Sequence, residues 1–221
     1  MNSRPLEGKK VVFFHADIYS PGGSERLLAG VVKEFEKQGA STHIVTFKYN
    51  PEALFNESFQ AKVHEVIGRG LLYSTPLWLR LLYFPRAVLA LRKRLKAIRP
   101  DIIISRSPFE SIYVYLATLF TRFSYVTHIH TTISWDCGDI RQFALIYRKT
   151  MKKITRSTAG HREFTPKTPP KANPVKRLIS ELTAIVEYFA VRKAKKIFVL
   201  SNQMKWETSE LYHREAAFCY T

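Results

Sequence analysis

Three residues at the approach to a predicted helix carry the clearest chemistry in this sequence. An apolar strand from Lys10 to His15 runs into a loop ending Pro21-Gly22-Gly23, and Ser24 follows where a helix N-cap belongs. Glycines there let backbone approach an oxyanion closely, and the unpaired N–H groups and dipole of a helix start favour negative charge. Gly22, Gly23 and Ser24 are therefore candidate anion ligands. A bare Gly-Gly pair is equally what a tight strand-to-helix turn requires. A second chemical pair, His128 and His130, shares one face of a predicted strand, as alternation dictates. No third ligand stands at a suitable spacing, so zinc is not indicated.

The elements that position these residues alternate along the whole chain. Leu27, Leu28, Val31, Val32 and Phe35 recur at helical spacing, and Gly39 stands at the expected helix stop. Strands are predicted at Ser41–Phe47 and Lys62–Ile67, with a polar loop from Lys48 to Gln60 between them. A long helical pattern covers Pro76–Ile98, and Pro85 is expected to kink or split it. Asp101–Ser105 is apolar enough for a strand buried on both faces. A helix over Phe109–Phe120, a strand over Tyr125–His130 and a basic helix over 139–156 follow. Residues 157–174 hold Pro166, Pro169, Pro170 and Pro174 and read as a Pro-rich loop. A helix over Val175–Val191, a strand at Lys196–Ser201 and a helix up to His213 close the pattern. Such alternation predicts an α/β fold, a Rossmann-like parallel sheet with helices on both faces.

Composition narrows the function classes. The 221 residues are 46% hydrophobic, enough for one good core and too apolar for global disorder. Two cysteines, Cys137 and Cys219, supply neither a disulfide framework nor a zinc knuckle and suit a reduced, cytoplasmic setting. No secretory signal opens the chain and no uncharged apolar run reaches membrane-spanning length.

The net charge of +17 is concentrated in two blocks. Residues 1–65 balance 8 basic against 8 acidic side chains, whereas 66–99 carry 8 basic and none acidic, and 141–196 carry 15 basic and 3 acidic. Polyanionic partners are implied: an anionic membrane surface or nucleic acid. No RNA-recognition, KH or helix-turn-helix signature supports nucleic acid. The basic amphipathic region 68–99 mixes Trp78, Tyr83 and Phe84 with Arg80, Arg86, Arg92, Lys93 and Arg94. That mixture fits a helix lying on anionic lipid, a peripheral position on the cytosolic membrane face.

Several segments together resemble glycosyltransferase family 4, which has the GT-B fold. They are Phe14-His15-Ala16-Asp17 leading into Gly22-Gly23-Ser24-Glu25-Arg26, then Tyr49-Asn50-Pro51-Glu52, Arg99-Pro100-Asp101, the strand ending at His130, and Ala194-Lys195-Lys196-Ile197-Phe198-Val199-Leu200-Ser201-Asn202. The likeness is closest to mannosyltransferases that extend lipid-linked oligosaccharides. It implies that Gly22, Gly23 and Ser24 lie against the diphosphate of a nucleotide-sugar donor and that His130 contacts the transferred sugar. It also implies retaining, metal-independent transfer to a lipid-linked or glycan acceptor, with the nucleotide sugar as substrate and no separate cofactor. Only the N-terminal, acceptor-side half of the family pattern is matched by residues 1–221, with the C-terminal donor-binding domain absent. The expectation is an isolated chain without appreciable turnover: a fragment, a subunit completed by a separate donor-binding chain, or a non-catalytic membrane-docking or acceptor-binding remnant.

Overall fold

The computed structural model describes residues 4–54, 60–71, 75–130, 144–159 and 174–219. Its chain divides into two compact units, the first running to His128 and the second from Ile129. In the first unit, β1 (Lys10–Phe14), β3 (Ser41–Thr46), β5 (Lys62–Glu65), β6 (Ile102–Ser105) and β7 (Tyr125–Ile129) form an all-parallel array in the order β5-β3-β1-β6-β7. The chain builds outward from β1 in one direction through β3 and β5, then resumes on the other side with β6. Strand order thus reverses between β1 and β6, where open parallel sheets leave a crevice beyond their carboxyl ends.

Helices cover both faces, and the pleat shows why. Successive side chains in a strand point to opposite sides. Phe13 meets Phe35 of α1 (Gly23–Lys37) edge-on at 5.4 Å, while its neighbour Phe14 meets Tyr113 of α3 (Pro108–Thr118) at 6.3 Å on the other side. Tyr113 also packs on Phe84 of α2 (Leu77–Ile98) and on Phe47. Gly39 ends α1 at φ +92, a conformation that favours glycine.

In the second unit, β8 (Ile197–Val199) pairs in parallel with β9 (Ala217–Phe218). Around this pair lie α4 (Leu145–Ala159), α5 (Pro174–Lys193) and α6 (Asn202–Tyr212). Tyr147 and Tyr212 pack edge to face, the first donating to the Ala184 carbonyl and the second to buried Glu187. Ser201 caps α6 through the Met204 N–H.

Four expectations need correction. The N-cap of α1 is Gly22, so Ser24 lies inside the first turn; the glycine adopts the extended cap backbone without a side-chain bond. Pro85 neither splits nor ends α2, which runs unbroken from Leu77 to Ile98. Pro85 and Leu81 both face solvent, where water can serve the Leu81 carbonyl that proline leaves without its donor. The Pro-rich segment is narrower than 157–174, because α4 continues to Ala159 and Pro174 opens α5, where a missing N–H costs nothing. Residues 160–173 lie outside the described residues. Finally, the loop at 48–60 contains a short strand, β4 (Lys48–Tyr49), paired with β2 (Asp17–Ile18), and a 3-10 turn at Pro51–Leu54.

Candidate active site

A buried ionic cluster stands directly behind the glycine loop, at the reversal between β1 and β6. His15, the residue after β1, presents Nδ1 to Glu110 Oε1 at 2.7 Å and Nε2 to Glu25 Oε1 at 3.2 Å. Glu110 accepts further bonds from the backbone N–H groups of Ala16 at 2.8 Å and Arg106 at 2.9 Å. Arg106, the residue after β6, is only 2% exposed, and its charge interacts with Glu110 and Glu25. Each group enters from a different element: the ends of β1 and β6, the first turn of α1 and the first turn of α3.

Local chemistry fixes those positions. Ser107 caps α3 by accepting from the Glu110 N–H at 3.1 Å. Ser111, one residue on, joins Ser105 of β6 and Thr127 of β7 in a buried hydroxyl chain at 2.8 and 2.9 Å. These bonds hold the α3 N-terminus against the strand ends, and Glu110 with it.

The electrostatics favour a fully ionised quartet. Burial alone would lower the His15 pKa, yet it is raised, because the charge and hydrogen bond of Glu110 and the bond to Glu25 outweigh desolvation. Burial would raise both carboxyls, yet both are held below their ordinary value, chiefly by His15. Burial pushes the Arg106 guanidinium down to about 10, which still leaves it charged at neutral pH. Two cations and two anions then sum to zero, and neutralising any one strands a charge in the interior.

This arrangement predicts a pH signature. Because the His15 pKa is raised, its contribution is complete below the ordinary value of 6.5 and disappears as pH rises through the folded pKa. The Glu25 and Glu110 contributions are complete above the ordinary 4.5 and disappear on acidification. His43 and His64, stacked between β3 and β5 with ring centroids 5.3 Å apart and Nδ1 and Nε2 3.0 Å apart, have lowered pKa values and affect only the range below 6.5. Urea unfolding should therefore show stability declining as pH rises above 6.5 in the wild type. The decline should vanish in His15→Gln; an equal decline in both proteins contradicts the pairing.

The glycine loop shows a division of labour. A Cβ on Gly22 would stand 2.6 Å from the Glu25 carboxylate, so that glycine makes room for the chain's own acid. A Cβ on Gly23 would meet nothing within 4 Å. The first i to i−4 bond of α1 runs from Arg26 N–H to Gly22 carbonyl, so the helix itself offers no acceptor to the Gly23 and Ser24 N–H groups. Asp17, by contrast, is structural, accepting from the Leu71 N–H at 2.9 Å.

The other predicted residues are dispersed. His130 directly follows β7 and is half-buried, while His128 is buried within β7. Trp78, Arg86 and Lys93 share the exposed face of α2 with Leu82 and Leu89, and half-buried Arg92 borders it. Arg80 and Arg94 lie on its inner flank: Arg80 Nε donates to the Thr75 carbonyl, and Arg94 neighbours His64. Among the described residues no group of three acids, histidines or cysteines is placed to hold a metal ion. A surface hollow of about 850 Å³ lined by Lys96, Arg99, Asp101 and Arg122 lies at the opposite, amino-terminal edge of the strands.

The sequence model described as Glycosyltransferase Family 4 matches residues 21–217. The chain belongs to this family. Sequence comparison with curated proteins finds no match. Among solved structures, sucrose-phosphate synthase from Thermosynechococcus elongatus is similar at TM-score 0.62 and 11% identity, covering 95% of this chain and 47% of that one. Anabaena Alr3699/HepE in complex with UDP-glucose is similar at TM-score 0.57 and 14% identity, with 96% and 43% covered. Glycyrrhiza uralensis UGT73P12 is similar at TM-score 0.55 and 12% identity, with 92% and 47% covered. The family-4 chain described here thus spans less than half the length of these three structures, and its fold is the N-terminal Rossmann-like domain of GT-B glycosyltransferases.

Proposed function

We propose that this chain is the acceptor-side domain of a retaining, metal-independent transferase that moves mannose from a nucleotide-sugar donor to a lipid-linked acceptor at the cytosolic membrane face. The observation that carries the reading is the open N-terminal turn of α1, at the strand-order reversal of a family-4 fold. The Gly23 and Ser24 amides receive the donor diphosphate, whose negative charge grows as it leaves. The quartet behind them is neutral overall, so the Glu25 carboxylate near the loop does not repel the incoming phosphates as a lone charge would. His130 contacts the transferred sugar, the role the family likeness gives it. One similar structure is described in complex with UDP-glucose, which supports a nucleotide sugar as the ligand class. The exposed α2 face, Trp78, Leu82, Arg86, Leu89 and Lys93, supports a peripheral position on anionic lipid. No described helix is long and apolar enough to cross a membrane.

A transfer assay tests this reading, using the transferase that contains this chain, labelled GDP-mannose or UDP-glucose, and a polyprenyl-diphosphate oligosaccharide. Mannose should be transferred in preference. His130→Ala should lower kcat by about a hundredfold, on the order of 2.7 kcal/mol of transition-state stabilisation, with little change in Tm. A lowered Tm with near-normal rate would make His130 a packing residue, and preference for glucose would remove the mannose assignment.

A further inference from the structure

Helix α5 is built inside out for a helix on a water-soluble surface. Val175, Leu178, Leu182 and Phe189 are 62%, 61%, 56% and 49% exposed, whereas small Ser180, Ala184 and Ala190 are buried. At about 100° per residue, the exposed apolar residues and half-buried Ile185 fall within an arc of roughly 80°, opposite the packed face. The spacing of 3, 4, 3 and 4 residues keeps that stripe continuous along a helix of 20 residues, about 30 Å long.

Charge then identifies the occupant. Both acidic residues of α5 are engaged within the unit: Glu181 accepts from the Leu145 and Ile146 N–H groups at the start of α4, and Glu187 is buried under the Tyr212 hydroxyl. The exposed charged residues of α5 and of the three residues after it are all basic: Arg177, Arg192, Lys193, Lys195 and Lys196. Helix α4 has no acidic residue and adds exposed Leu145, Ile146, Lys149 and Lys152, while Lys153 is paired with Glu210 at 2.7 Å. An apolar stripe on a helix whose exposed charges are all cations complements an anionic lipid surface, where side chains enter the acyl boundary and the basic groups meet phosphates.

We infer that α5 is a second membrane-contact element, lying in the plane of an anionic leaflet and inserting Val175, Leu178, Leu182 and Phe189. The inference rests on the membrane-proximal reading above and adds an element that makes contact independently of α2. Flotation of the full chain with vesicles of phosphatidylcholine, with or without about 30% phosphatidylserine, tests it. Wild type should float with the anionic vesicles only. Leu178→Asp/Leu182→Asp should lower the partition coefficient at least about tenfold with an unchanged Tm, since neither side chain is packed. Arg86→Glu/Lys93→Glu in α2 should lower it separately. Wild type that fails to float overturns both the membrane reading and this inference. Wild type that floats, with loss only in the α2 variant, keeps the membrane reading and overturns the role of α5. A wild-type dimer that the α5 variant converts to monomer, with flotation unchanged, would assign the stripe to a second copy and also overturn it.

Discussion

Replacing Glu110 with alanine should cost the protein about 3–5 kcal/mol of stability, the range expected when one partner of a buried ion pair is removed. The carboxylate is 2% exposed and accepts from His15 and from the backbone of Ala16 and Arg106. Its loss leaves the two cations facing one remaining anion in the interior. Domains of ordinary stability hold only about 5–15 kcal/mol in total, so the variant should unfold at a much lower urea concentration. Glu110→Gln, which keeps an acceptor and loses the charge, should fall between the two. A loss below about 1 kcal/mol in Glu110→Ala would show that the quartet is not ionically coupled.

The two adjacent glycines should respond to substitution in opposite ways. In the transferase containing this chain, Gly23→Val should reduce kcat/KM by at least about a hundredfold and leave Tm nearly unchanged. A Cβ at position 23 would meet no atom within 4 Å, so packing has room for it, whereas a diphosphate held as proposed would be crowded. The loss corresponds to about 2.7 kcal/mol of transition-state binding. Gly22→Ala should mainly lower Tm, because its methyl group would press on the Glu25 carboxylate and push it from His15. Comparable kinetics for wild type and Gly23→Val would reduce the pair to a plain turn. Melting curves and steady-state rates on both variants separate the outcomes.

Local patterns made the scaffold legible from sequence. Apolar runs such as Val11–Phe14 and Ile102–Ile104 form strands within a residue or two of their expected bounds. The glycine turn, the α1 periodicity and the Gly39 stop also read correctly, because each depends on neighbours a few residues apart. The quartet did not read, since His15 and Glu110 are 95 residues apart and only the parallel register brings them together. A usable signal was present: charged residues directly follow two buried strands, His15 after β1 and Arg106 after β6. The outer stripe of α5 was illegible for a different reason. Apolar periodicity normally marks the packed face, whereas here the buried residues are Ser180, Ala184, Glu187, Ala190 and Val191, of which only Val191 is a large apolar side chain.

In the proposed function the Gly23 and Ser24 amides receive the diphosphate of a nucleotide sugar. Titrating the ¹⁵N-labelled transferase that contains this chain with GDP-mannose, and with mannose alone as a control, tests this by amide chemical shift. Gly23 and Ser24 should show saturable shifts with the nucleotide sugar, none with mannose, and none in Gly23→Val. Gly23 and Ser24 amides that stay unmoved at saturating nucleotide sugar would contradict it.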